Sequence, residues 1–427
     1  MRILHFSSDD ITGGAAKAAY RLHHALRDAG HDSRMVVLRK KSGDDTVTQA
    51  PLLEPRPWAS RLERLRRRFP LVSQQIPTAN YTFNFDPQPQ INLPTLLAGQ
   101  MPAPDIVCLH WITGLLDVRA IRQLYDHFRC SIVWVMADQE PLTGGCHYSF
   151  GCDGFTQVCG DCPQLTPSHA ADHSRMVWQR KKEYLADLPI CFVAPTSWGR
   201  EKLAQSSLFR HHRCERIPYP IDPLTFRPFD QSIARDLLHL PQDKKIIFFG
   251  ATYLEDRRKG MPLLLEALAE VRARMDSATI SPDQVFLLVA GLNGHQLLPR
   301  IPFVGKYLGQ LNDDLTLALA YQAADLFVCP SVEDAGPMMI PEAMMCGTPV
   351  VAFHAGGAPD LITTGETGYL ARLADSADLA SGILDLLEAD NGLTIGEAVH
   401  LVASKNHLPN QVSKLYSELF SSLVTND

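Results

Sequence analysis

The sequence lacks an excess of positive charge. Its 427 residues include 40 Lys and Arg against 47 Asp and Glu, which gives a formal net charge of -7. A general nucleic-acid-binding protein needs a basic face to neutralise phosphates, so this balance predicts that nucleic acid is not a partner. The length exceeds what one ordinary hydrophobic core accommodates, and two domains are expected.

Long apolar runs are also missing. No stretch approaches the roughly 18 apolar residues that indicate a membrane-spanning helix. The N-terminal MRILHFSSDD reaches acidic residues before a secretory signal could form. We therefore expect a cytoplasmic protein, in which the 10 cysteines are free thiols or metal ligands rather than a disulfide framework.

Short apolar runs alternate with helical patterns along the chain, which is typical of an α/β fold. In the first half, strands are predicted at residues 2–7, 34–38, 105–110, 131–136 and 190–194. In the second half, they are predicted at residues 245–249, 285–290, 303–304, 326–329 and 349–353. The proline-rich residues 216–229 between the halves are the predicted domain boundary. The fold class is thus α/β, with two doubly wound domains at 1–220 and 221–405 and a C-terminal helix within 406–427 that packs back towards the first.

Glycine and polar residues follow several of these strands. Gly13 and Gly14 precede a helix predicted at 15–29, where unpaired N–H groups favour an anion or a sugar hydroxyl; a glycine turn without a ligand explains the pattern equally well. His110 and Asp138 follow two further strands. Ligands gather at the carboxyl ends of parallel strands, so both are candidate site residues, although a buried structural histidine is as common.

Four cysteines lie close together within residues 143–165, at Cys146, Cys152, Cys159 and Cys162. Their spacing, C-x5-C-x6-C-x2-C, is compatible with tetrahedral ligation of a structural zinc ion. Free thiols in a glycine-rich loop are the competing interpretation.

A basic segment at residues 56–70, RPWASRLERLRRRFP, contains six arginines against one glutamate. Apolar residues recur in it at three- and four-residue steps, as in an amphipathic helix lying on an anionic membrane surface. A solvated basic helix would have the same composition.

The strongest functional pattern is SVEDAGPMMIPEAMMCGTPVVAFHAGGAPD at residues 331–360. Asp334 and Glu342 stand eight residues apart, ahead of a predicted strand. An ordinary helix with Asp334 as its N-cap and Glu342 in its first turn would explain the pair alone. The helix start also favours binding of a diphosphate, for which Lys259 and Arg258 are the natural cationic partners.

This stretch, with GGAPDLI and GETGYL after it, resembles the donor domain of the retaining glycosyltransferase family 4, which has the GT-B fold. IPYPIDPLTFRP is similar to the family's interdomain segment. GGAAKAAYRL, LHWITG and the cysteine-rich loop resemble a bacterial exopolysaccharide branch of the colanic-acid type. The resemblance implies two Rossmann-like domains facing across a cleft, with an acceptor-binding domain at 1–220, its cysteine-rich insertion at 143–165, and a nucleotide-sugar-binding domain at 221–405.

The resemblance also assigns roles to residues. It implies that Glu342 binds the ribose hydroxyls and Asp334 the donor sugar; Asp334 replaces the family's usual glutamate, and the neighbouring Glu333 is a substitute candidate. The donor-binding set is Arg258, Lys259, Glu333, Asp334, Gly336, Pro337, Met338, Met339, Ile340 and Glu342. The catalytic set is Asp334, Glu342, Lys259, His110 and Asp138.

One departure from the family concerns the acceptor side. Related sequences commonly have a His-Asp pair where this chain has Ala137-Asp138, which leaves His110 or His147 to take the place of the histidine. The implied front-face reaction uses a donor phosphate oxygen to accept the proton, so a protein base is not strictly required. No carboxylate pair is placed beside the phosphate-binding residues, and we expect that catalysis requires no cofactor. The implied partners are a UDP- or GDP-sugar and a glycan or polyprenyl-diphosphate-linked acceptor at the inner face of the plasma membrane. A nucleotide-sugar epimerase and a catalytically weak GT-B binding protein are the alternatives.

Overall fold

The structure, a computed structural model, describes residues 1–53, 76–77, 90–99, 102–275, 279–389 and 392–425. It divides into two compact units, unit 1 (Met1–Ile217 and Lys414–Asp427) and unit 2 (Pro218–Ser413). The basic segment at 56–70 lies outside the described residues. Among the helices that are described, none has the length and hydropathy of a bilayer-spanning segment.

Unit 1 is built on a seven-stranded, fully parallel sheet with strand order β3-β2-β1-β5-β6-β8-β9, and β4 pairs antiparallel with β7. The strands are β1 (Arg2–Asp9), β2 (Asp32–Arg39), β3 (Val47–Gln49), β4 (Ile76–Pro77), β5 (Ile106–Leu109), β6 (Ser131–Val135), β7 (Leu165–Thr166), β8 (Ile190–Ala194) and β9 (Cys214–Arg216). The central strands β5, β6 and β8 are buried along their whole length, as expected for a parallel sheet covered on both faces.

Most helices of unit 1 begin at polar capping residues, and the first of them begins at Gly13, which has no side-chain cap. They are α1 (Gly14–Asp28), α2 (Leu93–Ala98), α3 (Val118–Phe128), α4 (His173–Leu185) and α5 (Ser197–Gln205). The side chain of Asp117 accepts from the N–H of Ala120 at the start of α3, at 2.8 Å. Thr196 does the same for Gly199 in α5, at 3.2 Å. These caps satisfy N–H groups that the helix itself leaves unpaired.

Unit 2 repeats the arrangement with six parallel strands in the order β12-β11-β10-β13-β14-β15. The strands are β10 (Lys245–Tyr253), β11 (Val285–Leu292), β12 (Val304–Tyr307), β13 (Leu326–Cys329), β14 (Val350–Phe353) and β15 (Gly368–Ala371). The helices are α6 (Gln231–Leu237), α7 (Met261–Arg274), α8 (Asp314–Ala323), α9 (Met339–Met345), α10 (Ser376–Glu388) and α11 (Gly392–His407). The last helix, α12 (Pro409–Val424), begins in unit 2, and its residues from Lys414 onward belong to unit 1.

The sheet of unit 2 has a hydrophobic core on each face. In β10, Ile246 and Phe248 belong to one core. Their neighbours Ile247 and Phe249 belong to the other. The side chains of a strand alternate between faces, so a continuous apolar run is what two-sided burial requires.

Strand order reverses beside β1 in unit 1 and beside β10 in unit 2. In doubly wound sheets, ligands bind at the carboxyl ends of the strands on either side of such a switch point. Gly13 and His110 follow β1 and β5 in unit 1, and Lys259 and Asp334 follow β10 and β13 in unit 2. The predicted α/β class with two doubly wound domains is confirmed, and the predicted site residues lie just beyond both switch points.

Candidate active site

Unit 2 brings Lys259 and Asp334 into direct contact. Lys259 ends a short 3-10 helix, Arg257–Lys259, in the loop after β10. Its Nζ lies 2.5 Å from Oδ2 of Asp334. The two loops are also joined through their backbones, because the N–H of Val332 donates to the carbonyl oxygen of Arg258 at 2.8 Å. The cation and the first acid of the sequence pattern therefore form one ion pair, although they are 75 residues apart in the chain.

The environment of Asp334 keeps its carboxylate charged. Burial opposes ionisation, but the nearby charges of Lys259 and Arg258 outweigh it. Hydrogen bonds from Lys259 and from the N–H of Gly336 act in the same direction, and the pKa of Asp334 is lowered from its ordinary value. At neutral pH Asp334 is thus a carboxylate.

Two glycines allow the loops of this site to meet. Gly260 has φ of +67°, and a Cβ on it would lie 1.8 Å from the carbonyl oxygen of Pro330. Gly356 has φ of +54°, and its Cβ would lie 1.9 Å from the carbonyl oxygen of Asp334. Both positions combine a left-handed backbone with a close approach that only glycine permits.

The guanidinium of Arg258 is hydrogen-bonded within its own loop and to the loop that carries Asp334. Its guanidinium lies 2.6 Å from Oδ2 of Asp256 and donates to the carbonyl oxygen of Glu333 at 3.3 Å. The other oxygen of Asp256 accepts from the N–H of Arg258 at 3.0 Å. These bonds orient the residues around Lys259 and Asp334, and a direct contact of Arg258 or Glu333 with a donor stays a prediction.

Helix α9 carries Glu342 in its first turn. Its N-cap is Met338, without a side-chain hydrogen bond to the cap. The alternative in which Asp334 caps this helix is therefore wrong, because the carboxylate of Asp334 pairs with Lys259 instead. At the other end of the helix, Nδ1 of His400 lies 2.7 Å from the carbonyl oxygen of Met345.

Two backbone N–H groups at the start of α9 are already hydrogen-bonded to nearby carbonyl oxygens. The N–H of Ile340 donates to the carbonyl oxygen of Pro337, and that of Glu342 to the carbonyl oxygen of Met338, both at 3.1 Å. The N–H of Ile340, predicted to meet a diphosphate, is thus engaged in the turn. Met338 and Met339 pack half-buried against the core of unit 2. Glu342 is buried in the first turn.

Unit 1 contains a small pocket at the carboxyl end of its sheet. It is lined by His110, Trp111, Ile112, Thr113, Trp134, Ala137, Asp138, Glu140, Pro141 and His147. The structure therefore brings together His110 and Asp138, which the sequence predicted separately from two strands. It adds Trp111 and His147, which were not in the predicted catalytic set.

An ion pair between His147 and Asp138 lines this pocket. Nδ1 of His147 lies 2.6 Å from Oδ2 of Asp138, and both side chains are buried. Burial alone would lower the pKa of His147, but the charge of Asp138 and its hydrogen bond prevail, and the pKa is raised. The other carboxylate oxygen accepts from the N–H of Glu140 at 2.8 Å, which fixes the pair in place.

His110 has a different environment. Its Nε2 lies 2.9 Å from Nδ1 of His5, and the two buried rings are stacked with centroids 5.2 Å apart. Burial, together with the charge that His23 would carry, lowers the pKa of His110 to about 3. His110 is therefore a neutral imidazole at physiological pH, suited to hydrogen bonding rather than to supplying positive charge.

Gly13 and Gly14 open α1, as the sequence predicts. Gly13 is the N-cap, with φ of +89° and no side-chain cap, and a Cβ on it would contact nothing within 4 Å. Its backbone conformation, rather than a close contact among the described residues, accounts for the glycine. The loop is braced by Asp10, whose carboxylate accepts from the N–H of Ser42 at 2.8 Å.

The four cysteines of the glycine-rich loop are free thiols that form no disulfide. Burial raises the pKa of Cys159 and of Cys162 to about 11, although the N–H of Gly144 donates to the sulfur of Cys159 at 3.2 Å. Within the described part of the chain, no three of these sulfurs lie within 4.8 Å of one another. The loop is thus not arranged for a zinc ion in this structure, and zinc binding by Cys146, Cys152, Cys159 and Cys162 stays a prediction.

Comparisons with known proteins show what this chain is similar to. The family described as Glycosyl transferases group 1 matches residues 243–389. D-inositol 3-phosphate glycosyltransferase 2 of Catenulispora acidiphila is 31% identical over 306 residues, covering 66% of this chain and 67% of that protein. Phosphatidyl-myo-inositol mannosyltransferase of Mycobacterium leprae is 34% identical over 166 residues, 37% of this chain and 41% of that protein. The chain thus spans between about two fifths and two thirds of the length of these relatives.

Solved structures match over the whole chain. Anabaena HepE in complex with UDP and glucose has a TM-score of 0.67 at 18% identity, covering 99% of this chain and 100% of that one. Sucrose-phosphate synthase of Thermosynechococcus elongatus has a TM-score of 0.66 at 18% identity, with full coverage of both chains. The likeness establishes the fold, which is that of the GT-B glycosyltransferases. The Catenulispora acidiphila relative, 31% identical and covered over 67% of its length, and the match over residues 243–389, which contain Lys259, Asp334 and Glu342, show that the chain belongs to the glycosyltransferase group 1 family.

Proposed function

We propose that this protein transfers a sugar from a UDP- or GDP-sugar to an acceptor hydroxyl, with retention of configuration. The observation that carries the proposal is the Lys259–Asp334 ion pair at the switch point of unit 2, the position at which a doubly wound sheet binds its ligand. The leaving group of such a transfer is a nucleoside diphosphate, on which negative charge grows as the sugar departs. A fixed cation at that position stabilises the charge without reorganisation during the reaction.

Lys259 is suited to this role because Asp334 fixes the position of its Nζ while part of its side chain stays exposed to solvent. Its side chain is 24% exposed, whereas that of Asp334 is 9% exposed. An ammonium group has three N–H donors, and Asp334 requires one of them. The other two can therefore reach an oxygen of the donor diphosphate, while Asp334 keeps the group in position and faces the sugar.

Glu342 is assigned to the ribose. It lies in the first turn of α9, one helix turn beyond the loop that carries Asp334. A carboxylate has two oxygens and accepts two hydroxyl hydrogen bonds side by side, as a ribose 2′,3′-diol requires. This assignment comes from the family resemblance, and the buried position of Glu342 is compatible with a closely held nucleoside.

In unit 1, we assign the His147–Asp138 pair and His110 to the acceptor side. Buried His147, whose protonated form Asp138 favours, offers an N–H donor to a sugar or acceptor oxygen, and neutral His110 offers a hydrogen bond without charge. A donor phosphate oxygen accepts the proton of the acceptor hydroxyl, so no separate protein base is needed. Losing one such positioning group typically lowers the rate by about 100-fold or more rather than abolishing it.

Two classes of acceptor are open to test. The exopolysaccharide resemblance and the basic residues 56–70 favour a lipid-linked glycan at the cytoplasmic membrane surface. The names of the curated relatives instead favour D-inositol 3-phosphate or a phosphatidylinositol. Sedimentation with vesicles containing acidic phospholipid tests the membrane part, and no binding at low salt would contradict it.

The donor experiment identifies the nucleotide-sugar and tests the role of Glu342. UDP-, GDP- and ADP-sugars are screened for thermal stabilisation, since a ligand that binds the folded state raises its melting temperature. Glu342→Gln is expected to weaken donor binding by about 10- to 100-fold, because hydrogen bonds to a charged group contribute roughly 1.5–3 kcal/mol. The matched control is Glu366→Gln, on an exposed glutamate of the same unit.

Three outcomes would contradict the proposal. Equal donor affinity in the wild type and Glu342→Gln would refute the assignment of Glu342. Interconversion of a free nucleotide-sugar without any acceptor would identify an epimerase. Donor binding with neither hydrolysis nor transfer, across glycan and inositol acceptors, would identify a binding protein.

A further inference from the structure

Three potential metal ligands converge beside the C-terminal half of α1. They are His23 and His24 on the helix and Asp44 in the segment before β3. One ligand atom from each lies within 4.8 Å of the other two. In the part of the chain that the structure describes, this is the one group of histidine, cysteine and carboxylate side chains with that geometry.

The contact between His24 and Asp44 is not an ordinary hydrogen bond. Nε2 of His24 lies 2.9 Å from Oδ2 of Asp44. The same nitrogen is buried and has no hydrogen-bond partner of acceptable geometry. Two atoms that bind one zinc-sized ion at 2.0–2.1 Å stand roughly 2.9–3.4 Å apart. The separation of these two atoms therefore suits ligands of a common ion.

His23 is oriented from both sides by hydroxyl groups. Its Nδ1 lies 2.7 Å from Oγ of Ser33, and its Nε2 lies 2.8 Å from Oγ1 of Thr46. Thr46 donates its own proton to Oδ1 of Asp44 at 2.6 Å, so Nε2 of His23 is the donor in the metal-free protein. Ser33 can both donate and accept. Nε2 can thus release its proton while Nδ1–H donates to Ser33, which is the support that a metal-bound histidine normally has.

The ligand types define the class of ion. Two imidazole nitrogens and one carboxylate oxygen suit zinc and its neighbours among the divalent transition metals, whereas Mg²⁺ and Ca²⁺ prefer all-oxygen sites. The side chain of His24 is 42% exposed, which places the site near the surface of unit 1, although the Nε2 atom itself is buried. Tyr20 supports the site by donating to Oδ2 of Asp44 at 3.2 Å.

We propose that His23, His24 and Asp44 form a binding site for one divalent transition-metal ion of the zinc class. The ion would join α1 to the segment between β2 and β3, and so stabilise unit 1. The site is independent of the proposed donor site in unit 2, and it is distinct from any zinc held by the four cysteines.

The experiment uses the full chain, with any affinity tag removed and metal stripped by a chelator. Zinc is titrated against a chromophoric competitor for the wild type, His24→Asn and Asp44→Asn. Both substitutions are expected to weaken this binding at least 10-fold, since each removes a ligand. His211→Asn, on an exposed histidine of the same unit, is expected to bind like the wild type. Mg²⁺ at the same concentrations is expected not to compete.

Cobalt distinguishes this site from the cysteines. Co²⁺ bound by His23, His24 and Asp44 absorbs without a thiolate charge-transfer band, and that component is expected to disappear in His24→Asn. The proposal is overturned if His24→Asn and Asp44→Asn bind zinc as tightly as the wild type, or if all bound cobalt shows thiolate charge transfer. His24→Asn changes a partly exposed side chain, and an unchanged metal-free melting temperature confirms that the variant is folded.

Discussion

Replacing Lys259 by Met tests the ion pair on which the donor site depends. The substitution removes the charge while keeping most of the side-chain volume. Asp334 is then left buried with Arg258 and the N–H of Gly336 as its remaining stabilising partners. Because Lys259 is the largest of the causes that lower the pKa of Asp334, burial is expected to raise that pKa in the variant.

The size of the effect follows from the burial of the two partners. Removing one partner of a fully buried pair costs about 3–5 kcal/mol. Lys259 is 24% exposed and Arg258 remains nearby, so we expect a smaller loss of about 1–3 kcal/mol. For a unit of this size, the loss corresponds to a decrease in melting temperature of roughly 2–10 °C.

The loss of stability in Lys259→Met is expected to depend on pH. A carboxyl whose pKa is lowered in the folded state adds stability above its ordinary pKa of 3.8, and this contribution is lost as the pH falls through the folded value. The deficit of Lys259→Met should therefore be largest at neutral pH and shrink below about pH 4. Melting curves between pH 3 and 8 measure it, with Lys405→Met, on an exposed lysine of unit 2, as the control. The reasoning fails if Lys259→Met melts like Lys405→Met at neutral pH, or if its deficit persists unchanged at pH 3.

Two further predictions concern the loops and the pocket. Gly260→Ala is expected to lower the melting temperature by several degrees more than Gly309→Ala. Both residues have positive φ, but only a Cβ on Gly260 would lie against Pro330. Equal decreases in melting temperature would contradict the close approach of Gly260 to Pro330. His147→Asn is expected to lower the stability most below about pH 6.5. A histidine whose pKa is raised in the folded state stabilises the protein there, and this contribution is lost as the pH rises through its folded-state pKa. A stability deficit that is constant from pH 5 to 9 would show that His147 is not protonated in the folded state.

The architecture was predictable because apolar runs and glycines are local signals. The strand at Ile190–Ala194 and that at Leu326–Cys329 have the predicted bounds. The strand predicted at 245–249 continues to Tyr253, since the extra residues pair with β11 across an irregular register that no sequence pattern indicates. Short edge strands such as Val47–Gln49 were missed because three residues carry too little periodicity to be recognised.

The sequence named residues for the candidate site but not the contacts between them. Asp334 and Lys259 were each identified from local motifs, but their direct contact depends on the loops after β10 and β13 meeting through Gly260. The buried pair of Lys181 and Glu140, at 2.7 Å, was missed altogether. Its members are 41 residues apart, and neither lies in a motif that indicates burial of a charge.

Burial lowers the pKa of both histidines of the pocket, and they differ in whether a neighbouring group opposes it. His110 packs against a second imidazole, so nothing offsets the cost of desolvation, and its pKa falls to about 3. His147 is similarly buried, but a carboxylate lies 2.6 Å from its ring, and its pKa rises. A transfer that builds negative charge gains from a cation and gains less from a neutral ring. Although the sequence favoured His110 for the catalytic set, the contact with Asp138 makes His147 the histidine of this pocket whose protonated form is favoured.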